Sequence, residues 1–215
     1  MRLVMFGPPG SGKGTQAVIL SQNMGMPHIS TGQIFRDTIK SKTDFGKKID
    51  VLLAGGNLVP DDLVIEIVTK RISENDCQEN GFILDGFPRT TEQARALDNW
   101  LKENSMHLDR VIHLSISESV LAKRLSGRRF CDDCGSHFNT FFMPPKVEGT
   151  CDNCDGDLCI RADDSPDAIK HRLEIDQTLT RPLYDFYSEK ELILETDGDG
   201  PVDSISKFIC QHLGN

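Results

Sequence analysis

The chain has 215 residues, and 33 acidic against 24 basic side chains give it a formal net charge of −9. That balance excludes a general grip on nucleic acid through a basic surface. No apolar run approaches the roughly 18 residues of a membrane span.

The length suits one well-buried α/β core with room for an insertion or two. The N-terminal apolar run is too short for a secretory signal and breaks at once into Gly-Pro-Pro-Gly. With no sign of export, the seven cysteines are expected as thiols in a reducing cytoplasm. Five short apolar runs, Arg2–Phe6, Pro27–Ile29, Phe82–Leu84, Arg110–Ile116 and Leu192–Thr196, alternate with helical patterns. That alternation predicts a parallel sheet covered on both faces.

The first run leads into Gly7-Pro8-Pro9-Gly10-Ser11-Gly12-Lys13-Gly14-Thr15, and a helical pattern leads out. Glycines at this spacing turn successive backbone N–H groups into one concavity, and the following helix adds its positive end. Lys13 supplies an ammonium for outer phosphates, and Thr15 a hydroxyl for phosphate or magnesium. The stretch is therefore expected to hold a nucleoside triphosphate.

Ser30-Thr31-Gly32 predicts a helix start, and about thirty residues up to Pro60 form an insertion longer than a simple crossover needs. Asp61 or Asp62 is expected to cap the next helix. The third strand ends in Asp85-Gly86-Phe87-Pro88-Arg89-Thr90. A carboxylate there sits where open α/β sheets bind ligands and, beside a phosphate loop, reaches magnesium directly or through water. Asp85 is also placed to cap a helix beginning near Thr91, and the two roles are compatible.

Residues 130–164 break the alternation. Cys131-x2-Cys134 and Cys151-x2-Cys154, sixteen residues apart, predict two knuckles that offer four thiolates to one structural metal ion. His137 or Cys159 stands close enough in sequence to replace one of them, and Zn, Fe and Co all accept four thiolates. The segment has few large apolar residues beyond Phe130, Phe138, Phe141 and Phe142, so a metal would supply cohesion that so small a core lacks. Ser165-Pro166 restarts a helix, which Pro182 is expected to kink or end.

Arg36, Arg89, Arg124, Arg128, Arg161 and Arg172 all fall in turns, helix starts or insertion edges. Guanidinium forks facing one phosphate loop suit transfer of a phosphoryl group between two anionic partners. At this point the chain resembles the adenylate kinase family, in its bacterial long form with a zinc-binding LID. The resemblance runs through GPPGSGKGTQ at 7–16, STGQIFR at 30–36, GNLVPDDL at 56–63, GFILDGFPRT at 81–90, GRR at 127–129, RADD at 161–164 and HRL at 171–173.

That resemblance implies a P-loop nucleoside monophosphate kinase fold: a five-stranded parallel sheet flanked by helices, with two mobile insertions. The core would comprise 1–29, 60–126 and 165–215, the AMP-binding insertion 30–59, and the LID 127–164. It implies reversible phosphoryl transfer from Mg·ATP to AMP, giving two ADP. ATP would be held by Gly10, Ser11, Gly12, Lys13, Gly14, Thr15 and Arg128, with His137 and Phe138 on the adenine side and Gly200 touching the base through its backbone. AMP would be held by Thr31, Arg36, Asn57, Leu58, Val59, Gly86, Phe87, Pro88, Arg89 and Gln93. Arg161 and Arg172 would clamp the transferring phosphates, so that Lys13, Arg89, Arg124, Arg128, Arg161 and Arg172 form the catalytic set. Asp163 and Asp164 would orient these arginines and magnesium-bound water, with magnesium reached from Thr15 and Asp85 through water. Cys131, Cys134, Cys151 and Cys154 would bind zinc.

The resemblance further implies a monomer acting on small nucleotides, without nucleic acid or membrane partners. A kinase for UMP or CMP is the alternative within the class, and Thr31 and Gln93 look like the adenine-reading choice. A zinc-ribbon module with a nucleotide switch is the alternative outside it. Asp132, Asp133, Asp152, Asp155 and Asp157 would repel a nucleic-acid backbone from such a ribbon.

Overall fold

The computed structural model describes residues 1–161 and 164–214. Five strands form one parallel sheet: β1 (Arg2–Phe6), β2 (His28–Ser30), β3 (Phe82–Asp85), β4 (Arg110–Ser115) and, late in the chain, β8 (Ile193–Asp197). Their order is β2-β3-β1-β4-β8, all neighbours parallel. Each predicted strand is present, with β2 and β8 each displaced by one residue.

Because side chains alternate along a strand, one apolar run serves two cores. Leu3, Met5, Ile83, Ile112 and Leu114 face α1 (Lys13–Met24) and α9 (Val202–Leu213). Val4, Phe6, Phe82, Leu84 and Val111 face the opposite way. There they meet α4 (Asp61–Ile72), α6 (Thr91–Glu103) and α8 (Pro166–Ser188). The chain winds to one side of β1 as far as β3 and then to the other, so the carboxyl ends of β1 and β3 open into a crevice.

Two segments extend from this core, the first still contributing Phe35 and Ile49 to it. Between β2 and α4 lie α2 (Thr31–Lys40) and α3 (Asp44–Ala54), each started by a hydroxyl: Ser30 accepts from the Gln33 N–H and Thr43 from the Gly46 N–H. Between β3 and α6 the chain needs only a short turn, because α5 (Asn75–Asn80) has already brought it back from α4. After α7 (Glu118–Gly127), a second, antiparallel sheet forms from β5 (Arg128–Cys131), β6 (His137–Asn139) and β7 (Leu158–Cys159), in the order β6-β5-β7. Strands of two to four residues carry too little apolar alternation to be seen in the sequence.

Three expectations change. Neither Asp61 nor Asp62 caps α4: Pro60 holds the cap position, and both acids lie in the first turn, where the helix dipole favours them. Asp85 does not cap α6, because the Thr90 hydroxyl accepts from the Gln93 N–H at 3.1 Å. Pro182 does not end α8, which continues to Ser188. The turns beyond it bury Leu183 and Tyr187 almost completely, and that burial outweighs one missing backbone hydrogen bond.

Leu84 is fully buried in the middle of β3. Leu84→Ala is expected to lower the unfolding free energy by roughly 2–5 kcal/mol, measurable by urea denaturation.

Candidate active site

The crevice is a cleft of about 820 Å³ whose walls come from the phosphate loop, both outlying segments and α8. Gly12 occupies the N-cap of α1 in a left-handed conformation (φ 100°), and no side chain caps that end. The first N–H groups of α1 are therefore left for an anion. Gly10, Ser11, Gly12, Lys13, Gly14 and Thr15 all line the cleft. The Lys13 ammonium donates to the carbonyls of Gly7 (2.5 Å) and Pro8 (2.8 Å).

Burial lowers the Lys13 pKa to about 8, with Asp85 and Asp176 opposing the fall and Arg89 and Arg172 adding to it. Holding the proton at neutral pH in such a place costs roughly 3 kcal/mol. The unfolded chain, titrating near 10.5, binds more protons between pH 8 and 10.5. The cost is therefore complete below pH 8 and is relieved as pH rises through that window.

Asp85 ends β3 directly against the loop: a Cβ placed on Gly14 would lie 3.2 Å from its Oδ2. Burial works against its charge, but the neighbouring His28 and the Lys13 ammonium prevail and hold its pKa below the ordinary carboxylate value. His28 Nε2 stands 3.5 Å from Asp85 Oδ2.

Across the cleft, the Thr31 hydroxyl donates to the Gly86 carbonyl (3.0 Å), as does Arg89 Nε (3.0 Å). Gly86 sits at φ +82°, and a Cβ there would come within 2.7 Å of Thr31 Oγ1, so only glycine lets these segments close up. Phe87 and Pro88 are joined by a cis peptide bond. Asn57, Leu58 and Val59 line the same wall, with Asn57 Oδ1 3.1 Å from His171 Nε2. Gln93, almost fully buried, donates to Asp61 and accepts from the Arg89 N–H.

The arginines gather over the cleft. Arg128 makes a two-pronged ion pair with Asp164, through Nε to Oδ2 at 2.6 Å and a second, shorter bond, and Arg172 Nη1 reaches the same carboxylate at 3.3 Å. The Asp164 side chain is 1% exposed, so the charges of these two cations balance it in a nearly dry place. Arg161 and Arg36 both lie over the Phe130 ring, at 5.2 and 5.4 Å. Arg36 also donates to Gln33 Oε1. Arg124 donates to the carbonyls of Ser11 and Gly198, tying the phosphate loop to the turn that precedes Gly200. Gly200 lines the cleft. Asp163 lies outside the described residues.

His137 and Phe138 face different surroundings, as neighbours on a strand must. His137 meets Arg161 Nη2 through Nδ1 at 2.9 Å. Burial first, then Arg161, Arg36 and Arg128, drive its pKa down to about 3. It is neutral and accepts from the guanidinium. Phe138 packs with Cys131, Cys151 and Leu158, while its edge borders the cleft.

The sulfur-bearing atoms of Cys131, Cys134, Cys151 and Cys154 lie within 4.8 Å of one another, and no disulfide forms among the seven cysteines. Sulfurs 3.5 Å apart, as in Cys131–Cys154 and Cys134–Cys151, match four thiolates bound to one ion at about 2.3 Å. His137, engaged with Arg161, and Cys159 stand outside this group. Phe141 and Phe142 are exposed, which leaves the segment a small apolar cluster of Phe138, Cys131, Cys151 and Leu158, with Phe130 buried against Arg36 and Arg161.

The family model described as adenylate kinase matches residues 5–192. The chain belongs to the adenylate kinase family. It is 46% identical to the adenylate kinase of Finegoldia magna over 99% of both chains. It is 45% identical to that of Clostridioides difficile over all of this chain and 99% of the other. The adenylate kinase of Thermodesulfovibrio yellowstonii matches at 46%, again over 99% of each.

Several residues of this adenylate kinase site were not singled out in the sequence. Asp176 on α8 lines the cleft and acts on Lys13 across the fold. Lys40 at the end of α2 donates to the Asp132 carbonyl (2.5 Å), joining the two outlying segments through the Cys131–Cys134 turn. Asp61 was read as a cap and instead holds Gln93. Asp176 and Lys40 have no motif of their own, and Asp61, although inside GNLVPDDL, acts as they do on a residue distant in sequence.

Treatment with a strong chelator is expected to increase protease cleavage within residues 130–160 while circular dichroism of the helices barely changes. Unaltered cleavage would contradict a metal staple.

Proposed function

We propose that this adenylate kinase transfers the terminal phosphoryl group of ATP to AMP, reversibly, giving two ADP within the cleft between β1, β3 and the two outlying segments. The observation that carries this reading is the opposition of two anion-binding walls across one cleft. Lys13 and the N-terminus of α1 form one; Thr31, Gly86 and Arg89 form the other; Arg128, Arg161 and Arg172 lie over both. A single wall would suit a nucleotide switch, whereas two suit a donor and an acceptor. The relatives are all adenylate kinases, which favours AMP over UMP or CMP as the acceptor.

In this reading, Gly10–Thr15 and Arg128 hold the ATP phosphates, with Arg124 bracing the loop and His137, Phe138 and Gly200 bordering the base. Thr31, Arg36, Asn57, Leu58, Val59, Gly86–Arg89 and Gln93 hold AMP. The reaction needs charge neutralisation and alignment more than a protein nucleophile. Lys13 follows the phosphoryl group as charge shifts onto the departing ADP oxygen. Arg161 and Arg172 flank the transferring oxygens, and Arg89 steadies the attacking phosphate. Thr15 and Asp85 would hold magnesium through water, and its charge would offset that of the outer phosphates. Segments 30–59 and 127–164 close on the core formed by 1–29, 60–126 and 165–215. Their meeting at Lys40 and Phe130 keeps out water that would otherwise take the phosphoryl group. The four cysteines hold structural zinc and keep the LID rigid enough to carry its arginines. One chain contains both walls, so a monomer in the cytoplasm suffices. No described helix is long and apolar enough to cross a membrane.

Purified protein given ATP and each monophosphate in turn should form ADP fastest with AMP. Lys13→Ala should lower kcat by about a hundredfold or more, with the unfolding transition retained. Arg89→Ala should raise the KM for AMP far more than that for ATP. No ADP from AMP and ATP would refute the reaction, and a purely ATP-side defect would refute the role of Arg89.

The low pKa of Lys13 gives a pH prediction. As pH rises through about 8, the free enzyme loses the ammonium, and kcat/KM for ATP should fall by about tenfold per pH unit. Bound phosphates favour the protonated form, so kcat should stay level to higher pH. Steady-state profiles from pH 6 to 10 measure both limbs.

A further inference from the structure

Gln93 is 2% exposed, sits in the first turn of α6 and lines the cleft beside Thr31 and Val64. Its amide has two protein partners. Oε1 accepts from the Arg89 backbone N–H at 2.7 Å, and Nε2 donates to Asp61 Oδ1 at 2.7 Å. The second Asp61 oxygen accepts from the Thr90 hydroxyl at 2.7 Å, and that same hydroxyl oxygen caps α6. The acid is thus held by one residue and holds another.

A backbone N–H only donates, and a carboxylate only accepts. Turning the amide over would set N–H against N–H at Arg89 and oxygen against oxygen at Asp61. Both losses would fall in a buried place, where unmatched polar groups cost most. The orientation of the Gln93 amide therefore has one answer. An amide carries two N–H groups and an oxygen with two lone pairs. Asp61 and Arg89 take one of each, which leaves one N–H and one lone pair, side by side, for a ligand.

We infer that Asp61 is a positioning residue that sets base selectivity on the monophosphate side, by locking the Gln93 amide in one orientation. The inference rests on the proposed placement of AMP against this wall. A donor beside an acceptor complements the edge of adenine, where N1 accepts and the 6-amino group donates. Hypoxanthine and guanine present the inverse, an N1–H that donates and a 6-oxo group that accepts. Against the locked amide, both of their hydrogen bonds become clashes of like polarity. Uracil is inverted in the same way. Cytosine has the order of adenine, but its single ring reaches less far. The amino-versus-oxo decision is thereby made by the Asp61 carboxylate together with the Arg89 backbone N–H, the carboxylate touching no substrate.

Asp61 also lies at the start of α4, where a carboxylate favours the helix by its charge alone. A residue with only that structural role would weaken all monophosphates alike when replaced. The two roles separate with IMP, which differs from AMP only on the edge that Gln93 would read. Asp61→Asn keeps the size of the side chain but can both donate and accept, so it removes one of the two groups that dictate the orientation and leaves the Arg89 N–H alone to hold it.

The test measures kcat/KM for AMP and for IMP at saturating ATP in the wild type, Asp61→Asn and Gln93→Ala. Asp61→Asn is expected to reduce the AMP-to-IMP ratio by about tenfold or more, by loss with AMP and gain with IMP, while the KM for ATP stays unchanged. An unchanged ratio, or an equal loss with both monophosphates, overturns the inference. Gln93→Ala separates this from the underlying placement. If that variant keeps the full AMP-to-IMP ratio, Gln93 does not face the base and the AMP assignment itself fails. If it collapses the ratio while Asp61→Asn does not, only the positioning role of Asp61 is lost. Should Asp61→Asn not fold, exchange of the Gln93 side-chain amide protons in the wild type carries the test. The inference expects one protected proton without nucleotide and two with AMP. Two freely exchanging protons without nucleotide overturn it.

Discussion

Everything near the cleft depends on keeping a crowd of cations in a nearly dry space before any phosphate arrives. Lys13, Arg89, Arg128 and Arg172 repel one another at a distance where little water screens them. The fold answers with three carboxylates from different elements: Asp85 at the end of β3, Asp164 at the edge of the LID and Asp176 along α8. Asp164 is matched by Arg128 and Arg172 together, so the arginines are aligned as well as neutralised. The pKa of Lys13 is depressed all the same, because burial outweighs the carboxylates that oppose it.

The LID follows from the same requirement. Its arginines must reach over the cleft, yet its apolar core is too small to hold a shape. Two knuckles of cysteine answer the second problem, and aromatic stacking answers the first. Phe130 offers its ring to Arg161, from its own segment, and to Arg36, from α2. Lys40 reaches the knuckle itself at Asp132. The two covers thus meet over the place where water must be absent, and the four-cysteine cluster stands behind one side of that meeting.

Specific residues show how far the sequence could be read. The phosphate loop, the strand ends and the cysteine pairs were legible because each is a local device: neighbouring residues in a fixed spacing do one physical job. The same locality misled at Asp61. Ahead of an apolar helical stripe it resembled a cap, whereas its partners are Thr90 and Gln93, about thirty residues on. Pro182 misled for the opposite reason. Its local preference against the helix interior is real, but Leu183 and Tyr187 on the next turns bury enough surface to override it.

The sequence by itself determined the parallel sheet, the phosphate loop, the four-cysteine staple and the family to which the chain belongs. Periodicity, glycine spacing and thiol spacing are properties of short stretches, and they survive without three-dimensional context. Only the tertiary structure decided which carboxylate faces which cation and which amide is locked by which acid. It also decided that His137 stays neutral against Arg161. Those outcomes depend on burial and on distances of a few ångströms between residues far apart in the chain, where pairing and desolvation compete.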